Sequence, residues 1–227
     1  MESVVLSLGG SVLIKDNAPD TTYIRALAKV LLGVSSRHKL YVVVGGGKVA
    51  RNYIKSGRDL GADETFLDEI GIEVTRLNAR LVITALGDRA FHVPPKNYDE
   101  ALHAGKDHPI VVMGGVSPGI TTDAVSALLA ERVKAKRLVN ATSVDGAYTA
   151  DPKKDPSATM ILKMSHRELV RLVGEAPSSA GPNNVFDAVG ARVLERSKIG
   201  LAIVDGKNLS NLIDALEGRK FKGTLVG

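Results

Sequence analysis

The sequence predicts an α/β protein: a mostly parallel sheet sandwiched in three layers between helices. Three observations lead there. Short apolar runs rich in β-branched residues recur at 4–8, 40–44, 110–113, 137–141 and 201–204. Segments with apolar residues at helical spacing fall between them. The first three runs end on glycines, at Gly9-Gly10, Gly45-Gly46-Gly47 and Gly114-Gly115. Continuously apolar strands alternating with helices belong to a parallel sheet covered on both sides.

Taken in order, residues 4–8 form a strand closed by a glycine turn, and 21–36 form a helix. The β-branched run 40–44 stops at the glycine triplet, and 48–60 follows as a helix with basic residues on one face. Residues 64–86 read as a helix of about six turns, with Phe66, Leu67, Ile70, Ile72, Val74, Leu77, Leu81 and Leu86 as its apolar stripe and Gly71 as a possible kink. Val93-Pro94-Pro95 breaks any helix; 99–104 makes a short one before the strand at 110–113. A helix at 123–134 leads to the strand 137–141, and Asp145-Gly146 signals a turn. The polar stretch to Thr159 is a loop. Ser165 and Glu168 have capping-box spacing, and 187–196, 201–204 and 209–216 read helix, strand, helix. Neither an internal repeat nor a long linker interrupts the pattern, so two lobes would be a crease within a single domain of residues 1–227.

Composition narrows the function. Among 227 residues, 44% are hydrophobic and 24% charged, which suits a globular core and argues against disorder. No apolar run approaches the roughly 20 residues that a membrane helix needs, and Met1-Glu2-Ser3 leads straight into a strand without a basic signal segment. The expected setting is the cytoplasm, away from membranes. The absence of cysteine excludes disulfides, thiolate metal sites and cysteine nucleophiles. A net charge of +5 suits an anionic ligand; the basic residues are dispersed and only 4% are aromatic, so nucleic acid is not an expected partner.

Glycine turns at strand ends let backbone N–H groups approach phosphate oxygens, while the next helix offers its positive end. One such turn could be structural; three on one sheet edge point to phosphorylated ligands. Neither common fingerprint fits. Gly45-Gly46-Gly47-Lys48 has the wrong spacing for a P-loop, and no Gly-x-Gly-x-x-Gly follows the first strand. Arg51 lies one turn into the following helix, where it can fork onto a phosphate or be a surface arginine. His38, His92, His103, His108 and His166 follow no ligand or triad spacing.

The motifs Leu8-Gly9-Gly10-Ser11, Val44-Gly45-Gly46-Gly47, GGVSPGITTD at 114–123 and SVDGAYTADP at 143–152 together resemble the amino-acid-kinase superfamily over nearly the whole chain. Within it the sequence is similar to the uridylate kinases of the short archaeal type. That similarity is carried by Gly47-Lys48-Val49-Ala50-Arg51, Phe66-Leu67-Asp68-Glu69-Ile70-Gly71, Thr121-Thr122-Asp123 and VDGAYTADPKK at 144–154. The resemblance implies about eight strands, an acceptor lobe at 1–135, an ATP lobe at 136–227, and a homo-oligomer, commonly a hexamer. It implies transfer of the γ-phosphoryl group of ATP to UMP, with Mg²⁺ carried by ATP.

Roles follow position by position. The resemblance implies that Gly46 and Asp68 contact UMP, Asp68 through the ribose hydroxyls. The loop of Val116, Ser117, Pro118, Gly119, Ile120, Thr121 and Thr122, closed by Asp123, wraps the base and phosphate. On the donor side it implies Ser7, Gly9, Gly10, Ser11, Gly47, Arg51, Thr142, Ser143, Tyr148 and Asp151. Asp187 aligns with an acidic residue that orients catalytic groups; as a helix N-cap it would look identical, and Asp123 has the same competitor. One departure stands out. Much of the superfamily carries a lysine where this chain has Ser7, so the bridging cation must come from elsewhere, with Lys48 favoured over Lys15. Two other readings share the scaffold: a kinase for another small anion such as isopentenyl phosphate, and a non-catalytic nucleotide sensor.

Overall fold

The architecture was read from a computed structural model, which describes residues 1–150, 152, 154–174 and 185–227. From the N-terminus the chain forms β1 (Glu2–Leu8), α1 (Gly10–Leu13), a hairpin of β2 (Ile14–Lys15) and β3 (Ala18–Pro19), α2 (Thr21–Val34) and β4 (His38–Val44). Next come α3 (Gly47–Asp59), α4 (Glu64–Leu86), a 3₁₀ turn at Gly87–Arg89, α5 (Tyr98–Asp107), β5 (Ile110–Met113) and α6 (Thr122–Arg132). The remainder is β6 (Arg137–Thr142), β7 (Ala147–Tyr148), β8 (Met160–Ile161), β9 (Lys163–Met164), α7 (His166–Gly174), α8 (Ala188–Ser197), β10 (Gly200–Asp205), α9 (Leu209–Glu217) and β11 (Thr224–Val226).

Among the described residues the central sheet has seven strands in the order β5-β4-β1-β6-β10-β11-β9. The five long strands are parallel, as continuously apolar strands require. Side chains alternate between two cores. Val4, Leu6, Leu8, Leu40, Val42 and Val44 pack with α2, α4 and α9 on one face. Val5, Tyr41, Val43, Val111 and Met113 pack with α5, α6, α7 and α8 on the other. Helix starts sit where short polar side chains cap them: Asp63 accepts from Phe66 N, Thr121 from Ala124 N and Asp187 from Gly190 N. Ser165 and Glu168 form the reciprocal capping box. No helix among the described residues is long and apolar enough to cross a membrane.

Among the described residues the seven strands agree with the expected mostly parallel sheet of about eight, and β7 and β8 pair with each other as a separate antiparallel ribbon. One expectation needs correction: the stripe of α4 is rotated. Phe66, Leu77 and Leu81, expected inside, are exposed, whereas Thr75 and Asn78 are buried beside Leu67, Val74, Val82 and Ile83. Past Gly71 the helix continues unbroken to Leu86.

Candidate active site

β1 and β4 run side by side in register, with Leu8 opposite Val44, so the turns after them leave the sheet together. Gly45 N still donates to Leu8 O and Gly9 N to Ala141 O, extending the ladder by one residue on each side. Beyond that the two turns touch. A Cβ on Gly10 would fall 2.1 Å from Gly47 N, and one on Gly47, where φ is +63°, would fall 2.5 Å from Gly10 O. Only glycine permits both the approach and the torsion. The first amides of α1 and α3 therefore emerge side by side, without intrahelical partners and at positive helix ends.

A cavity of about 440 Å³ opens over this junction. Gly10, Ser11, Gly45, Gly46 and Gly47 form its floor. Ala50, Arg51 and Ile54 wall it from α3; Asp68, Gly71, Ile72 and Thr75 wall it from α4. The loop after β5 closes it with Gly115, Ser117, Ile120, Thr121 and Thr122. Asp68 ties that loop down, its Oδ2 accepting a 2.7 Å hydrogen bond from Gly119 N. Of the basic side chains among the described residues, Arg51 is the one that lines this cavity.

Lys48, the favoured bridging cation, is exposed and outside the lining. On α3 the lining positions 47, 50, 51 and 54 share one face, and position 48 lies about a third of a turn away from it. Pro118 is exposed and also outside the lining, while Val116 packs into the core beneath.

Deeper in, Ser7 is buried, and its hydroxyl donates to Asp123 Oδ1 at 2.7 Å. Asp123 has its pKa raised to about 6, chiefly by burial and further by the negative charge of Asp187; the Ser7 hydrogen bond pulls it the other way. The position that much of the superfamily gives to a cation is here one half of a hydroxyl–carboxylate pair.

A second cavity, of about 290 Å³, lies along the same sheet edge beyond β6 and β10. Ser143, Asp145, Tyr148, Pro152, Asp205, Asn208, Asn211 and Lys222 are among its lining residues. Tyr148 Oη donates to Asp145 Oδ1 at 2.9 Å, and Lys222 Nζ pairs with Asp145 Oδ2 at 3.0 Å. Gly9 and Thr142 line neither cavity but lie along the sheet edge between them: Gly9 follows β1, which pairs with both β4 and β6, and its Cβ position lies 3.6 Å from Thr142 Cα. Asp151 lies outside the described residues. The structure thus brings Gly46, Asp68, Ser117, Ile120, Thr121 and Thr122 together with Gly10, Ser11, Gly47 and Arg51, and gathers Ser143 and Tyr148 separately.

Sequence reasoning passed over Ile54, Thr75 and Asn78 near the first cavity, and Asp205, Asn208, Asn211 and Lys222 at the second. The signal for Thr75 and Asn78 was available in principle: they are three residues apart in a helix and so share a face.

Comparison with known proteins supplies the wider context. The model of the amino acid kinase family matches residues 2–205. A uridylate kinase of Methanothrix thermoacetophila is 48% identical over 95% of each chain, and one of Archaeoglobus fulgidus is 47% identical over 98% of this chain and 99% of its own. The crystal structure of uridylate kinase from Archaeoglobus fulgidus superposes with a TM-score of 0.89 at 46% identity, with full coverage of both chains. That of UMP kinase from Bacillus anthracis, at 21% identity and a TM-score of 0.82, shares the fold.

Proposed function

The chain belongs to the amino acid kinase family, and from that premise we propose that it is a uridylate kinase, transferring the γ-phosphoryl group of ATP to UMP to give UDP and ADP. One observation carries the reading. A single cavity combines backbone amides at two helix starts, one arginine, and a carboxylate that reaches the acceptor loop. Those are the groups that a nucleoside monophosphate presents partners for: phosphate oxygens to amides and guanidinium, a vicinal diol to a carboxylate.

The chemistry needs little from the protein beyond placement. A nucleotide phosphate with a second pKa near 6 is largely dianionic at neutral pH, so its oxygen attacks without a general base. What opposes reaction is repulsion between two anions and the charge spread over the transferring group. Gly46 holds the acceptor and Asp68 orients its ribose, while Arg51 and the amides of Gly10 and Gly47, which the resemblance gives to ATP, line the same cavity and neutralise the phosphates on both sides of the transfer. Tyr148 and Ser143 flank the donor nucleotide in the second cavity, and Mg²⁺ carried by ATP would supply further neutralisation of phosphate charge. Asp187 and Asp123 act as supports: each lies within the first turn or cap of its helix.

Residues 10–122 build the acceptor cavity and residues 143–222 the donor cavity, which supports a division into lobes near 135. The outward apolar stripe of α4 supports self-association, with a hexamer as the expected assembly and the cytoplasm as the expected location. An assay coupling ADP release to UMP, CMP, dTMP, isopentenyl phosphate and acetylglutamate tests the activity. Turnover should be highest with UMP; preference for isopentenyl phosphate, or no turnover with any acceptor, would overturn the reading.

A further inference from the structure

Thr75 sits between two of the glycine turns, bonded to the one after β5 and limiting the space at the one after β4. Its hydroxyl accepts from Gly115 N at 2.7 Å and donates to Ile72 O at 2.6 Å, so both hydrogen-bonding roles of the side chain are used. A Cβ built on Gly114 would fall 2.5 Å from Thr75 Oγ1, and one on Gly46 would fall 3.5 Å from its γ-methyl. Glycine at 114 is therefore required by the approach of α4. The amide of Gly115 is already spent, on a side chain rather than on any phosphate.

One turn further along, Asn78 Nδ2 donates to Gly45 O at 2.9 Å and to Gly46 O at 3.3 Å. This holds the carbonyls of Gly45 and Gly46 toward α4 and fixes the path of the chain into α3. Both side chains are buried, Thr75 at 6% and Asn78 at 5% exposure. A buried polar pair on a helix that could have carried valine and leucine there costs stability unless it is fully bonded. Here it is bonded to the two turns that frame the acceptor.

We propose that Thr75, with Asn78 beside it, is a positioning residue for phosphoryl transfer. It fixes the root of the acceptor loop and the glycine triplet at one separation, so that α4 sets the width of the acceptor cradle. The proposal rests on reading this cavity as the acceptor site. It assigns no catalytic contact to Thr75, which acts through Gly115 and Gly46.

The test is a steady-state comparison of Thr75→Val, which keeps the shape and loses the hydroxyl, with Thr75→Ser, which keeps the hydroxyl. Each is assayed with whichever acceptor of the panel above the intact protein turns over fastest, while the acceptor and ATP are varied separately. Leaving the Gly115 amide buried and unpaired should raise KM for the acceptor about tenfold in Thr75→Val, with KM for ATP within about twofold. Thr75→Ser should restore the acceptor KM to within about threefold of the parent. Should Thr75→Val fail to fold, Thr75→Ala removes the hydroxyl together with the γ-methyl and, read against Thr75→Ser, which lacks the methyl alone, should show the same split. Equal acceptor KM in the valine and serine variants, or parallel rises for acceptor and ATP, would overturn the proposal. An intact protein that turns over CMP but not UMP would overturn the uridylate kinase reading and leave the Thr75 comparison fully readable. Turnover of no acceptor at all would overturn both.

Discussion

The Ser7 hydroxyl donates to Asp123 Oδ1 across 2.7 Å, joining the end of the central strand β1 to the first turn of α6. Asp123 is held with a pKa of about 6, raised mainly by burial. Its native pKa thus lies above the unfolded value of about 3.9, so the folded state holds the proton more tightly. The sign follows: this carboxyl favours folding at low pH, and the contribution is lost as pH rises from about 4 through about 6. Asp123→Asn should melt at a higher temperature than the parent at pH 8, with most of the advantage gone near pH 4. Melting curves at the two pH values check this; a gain that is the same at both would show that charge burial is not its source.

The cation assignment is open to a direct ranking. Both side chains are exposed, and of the two Arg51 lines the first cavity while Lys48 lies about a third of a turn away from it. Losing one preorganised donor to a transferring phosphoryl group costs roughly a hundredfold in turnover. Arg51→Ala should lose about that much, and Lys48→Ala less than about threefold. Measured kcat values in the opposite order would return the bridging role to Lys48.

Asp68 serves the loop and, in the proposed function, the ribose. One oxygen accepts from Gly119 N, and a carboxylate has lone pairs left for a diol. Asp68→Asn keeps the size and removes the charge that strengthens both bonds. Its KM for UMP should rise about tenfold, the worth of a charge-assisted hydrogen bond. KM for 2′,3′-dideoxy-UMP, which offers no diol, should rise much less, because only the loop bond is weakened. Equal rises for the two nucleotides would assign Asp68 to the loop alone.

Much of this was legible before any coordinates. Val4–Leu8, Ser7 apart, and Leu40–Val44 are apolar on both faces, a pattern that suits the middle of a covered sheet, and three glycine turns at strand ends pointed to phosphorylated ligands. What hid was hidden for physical reasons. β9 and β11 are two and three residues long, too short for periodicity to register. On α4 hydropathy alone misled, since Leu77 is apolar and exposed while Asn78 is polar and buried. Asn78 and Thr75 join that inward face through hydrogen bonds to the glycine turns, Asn78 to the Gly45 and Gly46 carbonyls and Thr75 from the Gly115 amide, which composition does not reveal. Likewise Ser7 reads as a lost lysine until Asp123 is seen against it.

The misplaced stripe of α4 leads to the last prediction. Phe66, Leu77 and Leu81 are 54%, 60% and 37% exposed, and their spacing puts them on one side of the helix, across two-thirds of its length. An apolar row on a long surface helix is what a partner helix covers, and a second copy of the chain would offer the same row in return. Light scattering behind size exclusion should therefore give a mass well above the 24.0 kDa of one chain. The double variant Leu77→Glu, Leu81→Glu should elute as a smaller species with unchanged helical circular dichroism, because exposed positions tolerate such changes within about 0.5 kcal/mol in the monomer. An intact chain of monomer mass, or a double variant that assembles like its parent, would remove α4 from any interface. If the variant dissociates yet keeps its acceptor KM, the cradle set by Thr75 and Asn78 on the inner face is independent of what covers the outer one.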